Sequence, residues 1–236
     1  MTRKVMLIVA DKPTGNNPPK PWAGGKGSMS TGKQHLSLKQ SWLTWRARLS
    51  IPSLIASRDE RKIISMVVAL NGGVAILLIS LLAWIVDLPL LFPALGPSAF
   101  ILFSSPFSSA AAPRSVIMGH FIAIAVGLAV WLFIAIICGR PVMPGMTGWP
   151  VLVSASMSLA ITCLLLVWLS VPHAPSCATG LIIALGLANE AASLLGMLAG
   201  VVLLTIQALV INRLADVSMP AWSPRHEDRL SEADRA

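Results

Sequence analysis

Charge is what this chain lacks. From Ile63 to Asn212 its only Asp, Glu, Lys or Arg side chains are Asp87, Arg114, Arg140 and Glu190, which cancel. A soluble domain cannot keep such a stretch in water. With 55% hydrophobic and 12% charged residues, the composition is that of a polytopic membrane protein. Acids are scarce throughout, 10 against 18 Lys and Arg, but 12 of those cations lie between Met1 and Lys62, where the acids are Asp11, Asp59 and Glu60. The formal charge of +8 is therefore a property of the N-terminal tail, and no nucleic-acid-binding surface is implied. Cysteine is equally sparse. Cys138, Cys163 and Cys177 lie inside hydrophobic segments and form no CxxC pair, so neither a metal cage nor a disulfide framework is suggested. Enzyme signatures are missing too: there is no Walker-type glycine loop, no HExxH and no nucleophile elbow, and no cofactor is implied. The apolar run Val5 to Ala10 is too short for a signal-peptide core and ends at Asp11, so no cleaved secretion signal is expected.

What is present divides into three parts. Residues 1–62 form a basic tail, expected to be disordered from Asp11 to Lys33, where Pro, Gly, Asn and Lys dominate. Within the tail, Leu38, Trp42, Trp45 and Leu49 share one helical face beside Lys39, Arg46 and Arg48, a pattern that fits either an interfacial helix over 36–49 on anionic lipid or an unstructured basic leader, with Met29 as an alternative start. Basic flanks stay inside, so the N-terminus is placed in the cytoplasm. Residues 63–212 form a transmembrane domain, and 213–236 a hydrophilic C-terminal tail. Ile63–Val86, Val116–Cys138, Val151–Val171 and Ala191–Ile211 are each long enough to span a hydrocarbon core of about 30 Å at about 1.5 Å per residue. Two further segments are short and interrupted: Leu88 to Pro106, broken by Pro93, Gly96 and Pro97, and the run "VPHAPSCATGLIIALG" from Val171 to Gly186. The predicted fold is all-α, a compact bundle of four full spans plus two broken or re-entrant helices arranged as an internal repeat. Gly96-Pro97-Ser98-Ala99-Phe100-Ile101 aligns with Cys177-Ala178-Thr179-Gly180-Leu181-Ile182. If both broken segments cross the membrane, the two halves are inverted; if both re-enter, they are parallel. Arg114 and Arg140 favour opposite models.

Lipid offers broken backbone no hydrogen-bond partner, so such helices persist only where protein or a wet cavity satisfies the freed groups. Helix N-termini bind anions through backbone N–H groups, and repeat-built transporters pair discontinuous helices near the midplane. On this reasoning Gly96, Ser98, Ala99, Ala178, Thr179 and Gly180 are candidate binding residues for a small inorganic anion. His173 and His120 are candidates for gating or proton coupling, since imidazole titrates at about pH 6.5, and Arg114 for attracting the anion or snorkelling to a headgroup. Gly196 and Gly200 form a GxxxG pair suited to close helix contact, within the chain or in a homo-oligomer. Cys177 reads as a small packing residue.

The stretches "LGPSAFILFSSPFSSAAAPRSVIMGH" and "PHAPSCATGLIIALG" resemble the two signature stretches of the HPP family of integral membrane proteins. Gly96, Ser98, Ala99, Pro113, Arg114, Gly119 and His120 match the first, and His173, Pro175, Ala178 and Thr179 the second. Pro97, Ala174 and Cys177 depart from the pattern. The resemblance spans roughly Pro89 to Asn212 and implies a compact bundle and, for some members, nitrite transport. The expected protein is thus an inner-membrane transporter or channel for nitrite or a related anion, with lipid as its other partner. A plastid membrane is the alternative location. A non-transporting scaffold or sensor subunit, whose basic tail binds a soluble partner or anionic lipid, is the alternative function.

Overall fold

The computed structural model describes residues 60–217 and 219–223. The expected disordered leader and the interfacial helix at 36–49 lie outside the described residues, as does most of the C-terminal tail. Among the described residues the protein is all-helical. In chain order the helices are α1 (Glu60–Val86), α2 (Leu95–Ser104), α3 (Pro113–Cys138), α4 (Trp149–Trp168), α5 (Pro175–Ala184) and α6 (Ala191–Leu214), with a 3-10 turn at Ser109–Ala111 before α3. Helices α1, α3, α4 and α6 are long and apolar enough to cross a membrane; α2 and α5, with 10 residues each, are the broken pair.

Local chemistry fixes these boundaries. Pro113 and Pro175 occupy the first helical position of α3 and α5, where a missing N–H costs nothing. Left-handed residues stop α1 at Asp87 (φ 51°), α4 at Ser170 (φ 53°) and α6 at Asp216 (φ 59°). In each case the following N–H reaches back to close the last turn: Leu88 to the Ala83 carbonyl, Val171 to Leu166 and Val217 to Asn212. The Ser170 stop ends the third long helix three residues before the expected Val171.

Contacts between the ends give each helix a direction. The Arg114 peptide N–H donates to the Trp222 carbonyl beyond α6, and its guanidinium reaches the Leu169 carbonyl beyond α4. Val67, Leu70 and Asn71 of α1 border one hollow with Ile211 and Leu214 of α6 and Ala215 just beyond it. The start of α1, the start of α3 and the ends of α4 and α6 therefore share one face of the bundle. At the other face the Trp131 indole, late in α3, donates to the Val142 carbonyl at 2.8 Å, and that carbonyl also lies against Gly186 after α5.

Both broken segments traverse the bundle. Residues 87–94 descend without regular helix along α6, with the Pro89 and Leu90 carbonyls against Gly196 and Gly200. Helix α2 then completes the passage, and the Leu102 carbonyl accepts from Asn212 Nδ2 near the end of α6. Helix α5 runs alongside α3, with Ser176 beside Gly119 and Gly180 beside Gly127. Consecutive helices thus alternate in direction, and the α1–α3 half is inverted relative to the α4–α6 half. Of the two topologies open from sequence, the crossing one is present. Arg114 lies on the face where α1 begins and Arg140 on the opposite face, which is why their charges favoured different models.

The GxxxG pair serves this arrangement within the chain. A Cβ at Gly196 would stand 2.5 Å from the Pro89 oxygen, so the non-helical backbone can be buried against α6 only where side chains are absent. The main apolar core, including Leu90, Phe92, Leu95, Leu102, Val116, Ile183 and Leu204, knits both halves together. Large apolar side chains such as Met66, Leu70, Leu77 and Trp84 face outward from α1, as lipid contact requires.

Candidate functional site at the junction of the broken helices

The heads of α2 and α5 meet deep in the bundle against α3. Ser98 lies in the first turn of α2, Thr179 early in α5, His120 two turns into α3, and His173 in the turn that introduces α5. All four are fully buried. His120 is the hub: its Nε2 lies 3.2 Å from Ser98 Oγ and its Nδ1 2.8 Å from Thr179 Oγ1. The residue pair aligned by the internal repeat therefore grips one imidazole from its two sides. His173 Nε2 lies 3.0 Å from the same Ser98 oxygen, while its Nδ1 lies 2.8 Å from the Ala110 carbonyl in the 3-10 turn. The imidazole centroids are 5.2 Å apart, and the Phe92 ring meets His120 edge-on at 5.9 Å.

The backbone donors at the two helix heads are already engaged. In α2, Leu95 N–H donates to Phe92, Gly96 to Pro93 and Ser98 to Ala94; Pro97 has no N–H. In α5, Pro175 has none, Ser176 donates to His173 and Cys177 to Ala174. Ala94 and Ala174 are themselves helical in φ and ψ, so each helix is wound backwards by a turn that consumes its first donors. The chemistry at the junction thus lies in side chains more than in bare peptide hydrogens.

The other sequence candidates spread out. Gly96 is exposed, and a Cβ there would meet nothing within 4 Å. Ala99 and Ala178 pack in the apolar core. Gly180 is buried one step past Thr179, where α3, α4 and α5 meet: a Cβ would lie 3.1 Å from both Ser158 Oγ and Thr162 Oγ1 and 3.3 Å from the Ala123 oxygen. Arg114 turns to the end of α4 and does not join the cluster.

Three features escaped the sequence reading. The Ala110 carbonyl fixes His173. Ser154, Ser158 and Thr162 form a fully buried polar stripe on α4; Ser154 bonds the Ala184 carbonyl at 2.7 Å, and the other two hydroxyls have no protein partner. Their four-residue spacing in an apolar helix was the available signal. Cys163 and Cys177, distant in sequence, bring their sulfurs to 3.6 Å.

No charged residue occurs in α2, α4 or α5. Among the described residues no three His, Cys, Asp or Glu side chains converge as metal ligands would. With both hydroxyls taken by imidazoles and no exposed surface, the junction is closed in this structure.

The family model for "HPP, transmembrane region" matches residues 58–220. No curated protein and no solved structure matches the chain.

Proposed function

Because the chain belongs to the HPP transmembrane-region family, we propose that it is a transporter or channel for small anions, nitrite foremost, with its site at the junction of α2 and α5. The observation that carries this reading is the convergence of Ser98, His120, His173 and Thr179 from four separate parts of the chain at full burial. Polar groups at membrane depth are expensive and cluster where a solute or proton passes. An apolar junction would join two helices with less penalty. Donors on imidazole and hydroxyl groups suit a monoanion, and the absence of fixed charge keeps binding weak enough for release. The inverted halves supply two similar bodies that can rock about this point. The proposal extends to an inner-membrane location and a non-enzymatic role.

The closed packing of Ser98 and Thr179 favours a second reading, a scaffold or sensor subunit in which the cluster only ties helices together. Nitrite flux into proteoliposomes separates the two. Transport predicts saturable uptake that falls about tenfold or more in Thr179→Val and Ser98→Ala, the change expected from losing a hydrogen bond of about 1.4 kcal/mol. A purified, folded protein that moves no nitrite, nitrate, formate or chloride supports the scaffold.

A further inference from the structure

Resting on that transport reading, we propose that His120 and His173 form a two-pronged anion clamp plugged by the Ser98 hydroxyl, and that one proton, taken up on His173, accompanies each monoanion. The donors and acceptors of the cluster dictate where its protons lie. A carbonyl only accepts, so the Ala110 oxygen at 2.8 Å requires a proton on His173 Nδ1. In the neutral ring Nε2 is then an acceptor, and Ser98 Oγ at 3.0 Å must donate to it. Ser98 has one proton to give, so its contact with His120 at 3.2 Å requires His120 Nε2–H to donate to Ser98. His120 Nδ1 is thereby an acceptor, filled by the Thr179 hydroxyl at 2.8 Å. In this neutral arrangement every imidazole contact of the cluster is a bond, and the contact left unmade is that of the Ser98 hydroxyl with the Ala94 carbonyl at 2.9 Å.

A second arrangement satisfies the same atoms with one more proton. When His173 Nε2 binds H⁺, it becomes a donor to Ser98 Oγ, and the Ser98 hydroxyl turns to the Ala94 carbonyl, 2.9 Å away. His120 and Thr179 need not change. A proton on His120 Nδ1 instead would oblige Thr179 to find another acceptor, so His173 is the basic partner. In the protonated form two Nε2–H groups aim at a single oxygen, that of Ser98. Withdrawal of α2 by one hydroxyl's width lets an oxygen of a small anion take that place, held by both imidazoles.

Charge fixes the stoichiometry. The titratable group facing His173 is His120, across from it on α3. Helices α2 and α5 and the 3-10 turn carry no Asp, Glu, Lys or Arg, and Arg114 on α3 turns away to Leu169. No fixed carboxylate balances an imidazolium here, and an unpaired charge at this depth is strongly disfavoured. The anion is the counter-charge, so the two enter and leave together as an electroneutral pair.

The test uses the full chain in vesicles containing a pH-sensitive dye. Nitrite uptake is followed at neutral pH after subtraction of the signal from protein-free vesicles, which reports leakage of nitrous acid. The expected result is one proton per nitrite and a rate unaffected by an imposed potassium diffusion potential. His173→Gln, checked for monodispersity, is expected to lose accumulation driven by a pH gradient, whereas His120→Gln slows uptake but keeps the ratio. Nitrite flux that carries net charge overturns the coupling and leaves transport standing. Unaltered proton coupling in His173→Gln overturns the assignment to that residue. Absence of flux under every condition removes the transport reading itself, and this proposal with it. If His173→Gln does not fold, ¹⁵N spectra of the histidine-labelled double variant His35→Gln/His226→Gln, which keeps His120 and His173, decide: one doubly protonated imidazole when nitrite is bound supports the clamp, and none or two refutes it.

Discussion

Replacing Thr179 with valine keeps the shape of the side chain and removes one hydroxyl. In the junction that hydroxyl lies 2.8 Å from His120 Nδ1, in a residue with no exposed surface. Valine leaves the ring nitrogen as a buried, unpaired acceptor, which costs about 1–3 kcal/mol. For a chain of this size that is a fall in Tm of roughly 4–8 °C for about 2 kcal/mol. Thr205→Val is the matched control. Thr205 is also buried, but its hydroxyl donates to the Val201 carbonyl of its own helix at 2.8 Å, and that carbonyl is already served by the helix backbone. Its loss should change stability by less than about 0.5 kcal/mol. The assay is thermal unfolding of both purified variants in one detergent. Equal shifts would mean that the His120–Thr179 contact stabilises nothing, and the proton accounting built on it would fall.

Other expectations follow from the same contacts. Gly127→Ala places a Cβ 2.7 Å from the Gly180 oxygen and 3.0 Å from Ile183 Cβ, so α3 and α5 must separate at a cost of about 1–3 kcal/mol. Gly96→Ala, with nothing within 4 Å, should be neutral or stabilising in the same melting assay. Ser158→Ala and Thr162→Val remove hydroxyls that have no protein partner, so stability should hold or rise by up to about 1 kcal/mol. A large loss on unfolding would show that those hydroxyls are bonded after all. Mild oxidation by diamide should couple Cys163 to Cys177, their sulfurs being 3.6 Å apart, with a loss of two hydrogens detectable by intact mass; failure to couple would contradict the packing of α4 on α5.

Much of this architecture was legible because membrane solvent imposes strict length and polarity. Four spans and two interrupted segments could be placed from charge-free runs and from Pro93, Pro97 and Pro175, and the ends differ by only a few residues. Ser98 and Thr179 were singled out by the repeat, and both meet His120. What the sequence withheld was distance between elements. That Ser98 also touches His173, 75 residues away, depends on how residues 87–94 thread beside Gly196 and Gly200. The helix-head donors were misjudged for a local reason. Ala94 and Ala174 extend each helix backwards, a choice between conformers that alanine does not announce. Gly96 lies outside the cluster because a helix turns through about 200° over the two residues to Ser98.

The two imidazole Nε2 atoms converging on Ser98 are the proposed seat of the anion. Titrating nitrite into ¹⁵N-histidine-labelled protein, with resonances assigned through His120→Gln and His173→Gln, tests it directly. Saturable shifts are expected at both Nε2 nitrogens, with His173 Nδ1 still held by the Ala110 carbonyl. Unchanged Nε2 resonances in protein that demonstrably moves nitrite would put the path elsewhere and contradict it.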